Sequence, residues 1–85
     1  MKTTVLRYHV VIRKAGPNYI ADVPTLGISD FGKTLEEAKK NVKNAIAIHI
    51  EGLAKTKAEI PPPDSDDYYM SVTEVSVSQP VRFGN

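Results

Sequence analysis

Residues 31–46 read FGKTLEEAKKNVKNAI, a glycine turn, a threonine and then an unbroken run of helix formers. Where that helix begins, and which face it buries, decides the fold. Thr34 followed by Glu37 forms a capping box, in which the threonine hydroxyl accepts from an amide of the first turn and the glutamate reaches back to the threonine amide. The helix therefore starts close to Leu35. Glu36 and Glu37 put negative charge at the positive end of the helix dipole, and Gly32 just upstream allows a backbone conformation that other residues resist. Leu35, Ala38, Val42, Ala45, Ile46, His49 and Leu53 then recur at steps of three and four, giving one apolar stripe, while Lys39, Lys40, Lys43 and Glu51 take the other side. Glu36 with Lys40 and Glu51 with Lys55 are favourably ordered pairs four apart. With Lys55 and Lys57 suiting the negative end, the helix is expected to stop near Ala54.

Such a stripe has to cover a sheet, and the flanking sequence supplies one. From Val5 to Lys14 the chain alternates, with Leu6, Tyr8, Val10 and Ile12 on one parity and Arg7, His9 and Arg13 on the other with Val5 and Val11. Ala15-Gly16-Pro17-Asn18 is turn chemistry, and Tyr19 to Val23 is a second strand, predicting an antiparallel hairpin with a loop of about four residues. Pro24 stops it, and Leu26 to Gly32 holds a short third strand between glycines. After the helix, Ile60-Pro61-Pro62-Pro63 cannot be helical and runs as an extended spacer. Asp64, Ser65, Asp66 and Asp67 make a solvated acidic loop. Tyr68 to Ser78 resumes strand character, with a change of parity that suggests a bulge near Glu74. The predicted class is α+β, in the order β-β-β-α-β, with a mostly antiparallel sheet and one helix on one face. Residues 1–79 form the single domain expected, and 80–85 a short tail.

Composition narrows what such a domain does. A chain of 85 residues buries only about 60–65% of the surface that its unfolded form exposes, so self-association would help it. Eleven basic against ten acidic residues give a formal charge of +1, far from the excess of a domain that lives on phosphate contacts. With no cysteine there is no disulfide framework and no thiolate chemistry. No apolar run approaches the roughly 20 residues that span a bilayer, and MKTTVLRYHV lacks the apolar core of a secretion signal. A cytoplasmic protein without a membrane segment is expected.

Motifs for chemistry are few. His9 reads as an outward strand residue and His49 as a half-buried member of the stripe; neither has a second ligand at metal spacing. Lys39, Lys40 and Lys43 read as a solvated face. No glycine-rich phosphate loop, serine elbow or zinc-peptidase helix occurs. Asp22 and Asp30, on or beside central strands, are the one pair that could hold magnesium in a minimal metal-dependent nuclease. That enzyme is the alternative reading; otherwise no cofactor is expected.

The run Tyr8-x-Val10-Val11-Ile12, Tyr19-x-Ala21-x-Val23-Pro24-x-Leu26-Gly27, Gly32-Lys33-Thr34-Leu35-Glu36-Glu37-Ala38 and Ile60-Pro61-x-Pro63 resembles the HicB family of antitoxins, from about Tyr8 to Asp64. The resemblance implies a truncated RNase H-like fold and a partner, a HicA-type toxin that cleaves messenger RNA through a histidine on a double-stranded-RNA-binding-like fold. The antitoxin docks on the toxin and blocks its active site, and family members assemble with one another through the sheet and the last strand. A homodimer is the first expectation and a homotetramer the second. Members often add a ribbon-helix-helix or helix-turn-helix module; only Pro80 to Asn85 follow here, so no separate DNA-binding domain is expected. The family's usual acidic residue between the proline and the leucine is Thr25 here, and the cysteine often found after the glycine is Ile28. From exposure and charge, the contacts expected with the partner are Arg13, Asp22, Asp30 and Phe31, with Asp64, Asp66 and Asp67 as mimics of RNA phosphates facing a basic toxin.

Overall fold

The computed structural model describes residues 3–67 and 69–84. Strands β1 (Val11–Ala15), β2 (Asn18–Val23) and β3 (Ile28–Gly32) precede one helix, α1 (Leu35–Lys55), as the alternation and the stripe require. The sheet order is β1-β2-β3, antiparallel throughout. The β1–β2 ladder closes at Ala15 opposite Asn18, so the loop is the pair Gly16-Pro17 and is shorter than the four-residue loop expected. Gly16 has φ +60°, and the proline ring fixes the next φ near −65°, which is the sign pattern of a type II′ turn whose twist matches the flanking strands. β1 is also shorter at its start than the alternation suggested, because residues 7–9 are engaged by the segment beyond the helix instead of a ladder.

Successive side chains alternate between faces, so the register sorts the sheet. Ile12, Ala21 and Asp30 share a row on the helix side, as do Lys14, Tyr19 and Gly32. The core is Ala21, Val23, Leu26, Ala38 and Val42, flanked by half-buried Tyr8, Ile12, Tyr19, Ile28, Ile46 and Ile50. Leu26 reaches it because the turn after Pro24 folds back, with the Leu26 and Gly27 amides donating to the Val23 carbonyl at 3.1 and 2.9 Å.

The helix start follows the expected cap, with one change of partner. The Glu37 amide donates to Thr34 Oγ1 at 3.0 Å, but the Glu37 carboxylate accepts from the Lys33 amide at 3.2 Å, one residue before the cap. Gly32 also has a different role from the one expected. It is buried, and a Cβ built on it would stand 2.5 Å from the Ala38 nitrogen. Its value is the close approach of helix to strand. At the other end α1 runs one residue past Ala54 and closes with a Schellman motif, Ala58 N–H donating to the Leu53 carbonyl and Lys57 N–H to that of Ala54. Lys57 sits at φ +58° there, where glycine is usual.

Among the described residues the expected fourth strand takes no ladder partner. Tyr68 lies outside the described residues; Tyr69, Met70, Val72, Val75 and Val77 are 61–95% exposed. A sheet edge has to be within reach for periodicity to become a strand, and this segment leaves the body of the molecule. The molecule measures 60 × 30 × 22 Å with a radius of gyration of 16.9 Å, against about 12 Å for a compact chain of this length.

Candidate docking surface

The outer face of the sheet carries no helix. On it the register sets Arg13, Ile20 and Phe31 in one row and Val11, Asp22 and Ser29 in the next. Arg13 Nε lies 3.5 Å from Asp22 Oδ2, and both groups are largely open to water, so the pair adds little to stability. Phe31 is 60% exposed. Its carbonyl accepts from Asn41 Nδ2 at 2.8 Å, which ties β3 to the helix and holds the ring outward on a fixed frame. Beside it Ala15, Asn18, Ile20, Ser29, Asp30 and Phe31 line a shallow hollow. An apolar ring in a dish, with a cation and a carboxylate at its side, suits a protein partner.

Of the residues expected at the partner, Arg13, Asp22 and Phe31 therefore share one face. Asp30 stands opposite buried Ala21, in the row on the helix side, while its carboxylate accepts from the Phe31 amide at 2.8 Å and it also lines the hollow beside Phe31. Asp22 and Asp30 thus point to opposite faces and do not converge on one ion, as a two-carboxylate nuclease site demands. Among the described residues no group of three or more His, Cys, Asp and Glu side chains is placed to hold a metal. Ile20 was not singled out in the sequence. The signal was its parity, opposite to that of Ala21 and Val23.

The acidic trio divides. Asp64 is not a solvated loop residue: its Oδ2 accepts from the His9 amide at 2.7 Å, its Oδ1 from the Thr25 hydroxyl at 2.6 Å, and its own amide donates to the Arg7 carbonyl at 2.9 Å. The hydrogen bond from the His9 backbone lowers its carboxyl below the ordinary 3.8, followed by that from Thr25; burial opposes them, and the nearby His9 ring adds to the lowering. His9 Nδ1 lies 3.4 Å from Oδ2, so the ring faces the post-helix segment and not open solvent as expected. Tyr8 Oη donates to the Pro61 carbonyl at 2.7 Å and Arg7 pairs with Asp66 at 2.8 Å. Together these contacts fasten residues 61–66 beside residues 7–9. Sequence reasoning missed this fastener because it joins residues more than fifty positions apart. Asp66 and Asp67 remain exposed.

A three-stranded antiparallel sheet with one helix packed on one face defines a small α+β fold. The match to the model described as "HicB_like antitoxin of bacterial toxin-antitoxin system" spans residues 8–78, and the chain belongs to that family. It is 35% identical over 68 residues to an uncharacterized 14.9 kDa protein of the rep-hol intergenic region of Haemophilus phage HP1, covering 79% of this chain and 51% of the phage protein. It is 38% identical over 64 residues to UPF0150 protein Ta0767 of Thermoplasma acidophilum, covering 73% of this chain and 93% of that one. The chain thus spans about half the length of the phage relative. No solved structure matches. Among the described residues no helix is long and apolar enough to cross a membrane.

Proposed function

We propose that this protein is an antitoxin that neutralises a HicA-type, messenger-RNA-cleaving toxin by docking on it and covering its RNA site. The observation that carries the reading is the outer face of the sheet left without a helix in a chain of the HicB-like family, with Phe31 60% exposed at the wall of the hollow and Arg13 two strands away in the same row. Phe31 and Ile20 supply the apolar anchor, and Arg13 and Asp22 set orientation at the rim. Asp66 and Asp67, still open to solvent, attract a basic RNA-binding surface. Asp64 acts indirectly, by holding the segment that presents them, and Asp30 by shaping the β3 edge. The protein works by contact, without catalysis or cofactor, in the cytoplasm, as a homodimer or homotetramer.

Co-expression with the candidate toxin tests this. Growth should be restored and the two proteins should co-purify, with Phe31→Ala losing both effects while the isolated variant stays folded. A toxin that remains lethal beside the unaltered protein would sink the reading. The nuclease alternative is separated by incubating the protein with RNA in magnesium, where no cleavage is expected.

A further inference from the structure

Strand β3 (Ile28–Gly32) borders the sheet: β2 pairs with it on one side and, among the described residues, no strand pairs with it on the other. Such a border invites any extended chain to add as a further strand. This one has a seat ready for it. Between β3 and α1 lies a cleft of about 470 Å³ with an apolar wall of Ile28, Ala45 and Ile48, the last 71% exposed, and a strand laid along β3 would hang its inward side chains there.

The backbone that such a strand needs is already engaged. In an antiparallel pair every second residue turns its N–H and C=O away from its neighbour. Phe31 is one of these in β3: its N–H donates to Asp30 Oδ1 and its carbonyl accepts from Asn41 Nδ2, both at 2.8 Å. Ser29, two positions earlier and exposed, has the same orientation and is the outward station of β3 left open. One residue's pair of bonds does not offset the entropy of ordering a strand. Asp30 adds a second barrier, because it also lines the cleft and an added strand has to bury its charge.

We propose that Asp30 and Asn41 close the outer edge of β3 to strand addition, and that the occupant they exclude is β3 of a second copy. Two such strands would run antiparallel about a twofold axis at Asp30, setting Ser29 of each copy opposite Phe31 of the other. In that register the outward groups of both strands would bond to one another if Phe31 were free. With Asp30 and Asn41 in place the Phe31 groups are occupied. The two Asp30 carboxylates would also meet in the close, non-hydrogen-bonded position, where like charges repel. The assignment is independent of the antitoxin reading.

The test compares the full parental chain with the double variant Asp30→Ala, Asn41→Ala, and with that pair carrying Ser29→Pro as well, by sedimentation velocity from 1 to 100 μM. Far-ultraviolet dichroism checks that each variant keeps its helix. The double variant should form species of at least twice the parental mass, with new association stronger than the parent's by about tenfold or more, since the freed Phe31 groups each gain a hydrogen bond. Ser29→Pro should return the parental mass, because proline removes the outward N–H and is tolerated on an edge strand. A folded double variant that keeps the parental mass at 100 μM overturns the proposal. So does extra mass that survives Ser29→Pro, since clumping through lost stability is not cured by a proline at the edge. Amide exchange reads the same lock without relying on the double variant. In the parent the Phe31 amide should exchange at least about tenfold more slowly than that of Ser29, relative to intrinsic rates, and in Asp30→Ala it should fall to the Ser29 level. Equal protection at the two amides in the parent overturns the proposal.

Discussion

Replacing Gly32 with alanine probes the contact on which the layer rests. The added Cβ would stand 2.5 Å from the Ala38 nitrogen, 2.8 Å from the Glu37 carbonyl carbon and 2.9 Å from Glu37 Cβ. Two of those atoms are helix backbone, so no rotamer change relieves them. Ordinary contact begins near 3.4 Å, and the first turn of α1 must back away by about 0.9 Å. That turn is pinned by the Thr34 cap and by Asn41 on the Phe31 carbonyl, and moving it unseats Ala38 and Val42, which are 0% and 3% exposed. Overpacking of this kind costs about 1–3 kcal/mol, with this rigid site near the upper end. Lower entropy of the unfolded alanine chain returns about 0.4–1 kcal/mol. The net is about 2 kcal/mol, which for a domain of this size lowers Tm by roughly 8–16 °C. Gly52→Ala is the internal comparison. A Cβ there meets nothing within 4 Å, and a mid-helix alanine should stabilise by about 1 kcal/mol. Thermal melts followed at 222 nm read both. A Gly32→Ala melt within 2 °C of the parent, or above it, would refute the close-approach argument.

Further outcomes follow from the same geometry. Thr34→Ala removes the acceptor of the Glu37 amide and should cost about 1 kcal/mol by urea unfolding. Lys57→Gly should raise stability by up to about 1 kcal/mol, because Lys57 holds φ +58° at the Schellman position. Asp64 is lowered below 3.8 in the fold, so its contribution is complete above that pH and is lost as pH falls through the folded value. Amide protection at His9 and Asp64, taken relative to the intrinsic rate at each pH, should therefore fall in acid, and Asp64→Ala should lower it at neutral pH. Protection factors that stay constant from pH 5 to pH 2.5 would contradict the fastener. Phe31→Ala, at 60% exposure, should leave the unfolding free energy within about 1 kcal/mol of the parent while abolishing rescue of toxin-expressing cells.

The local signals in this chain proved legible because they act over four or five residues. Thr34 capped the helix, the steps of three and four from Ala38 to Leu53 chose its buried face, and the alternation around Gly16-Pro17 set the hairpin. Each is a contest between neighbouring backbone groups and water. What depended on approach across the fold was not written in any short stretch. Gly32 reads as a turn residue, yet only the packed helix shows that it is a spacer. Asp22 and Asp30 read as a pair, yet the period of two in a strand turns their side chains to opposite faces once Ala21 and Val23 are fixed inward. Asp64 reads as a solvated acid, yet His9 and Thr25 converge on it from 55 and 39 positions away. The residues from Tyr69 to Ser78 carry the alternation of a strand, and alternation is a property of sequence. Having a neighbour to pair with is a property of the folded structure, and among the described residues the sheet holds β1, β2 and β3 with no place taken by this segment.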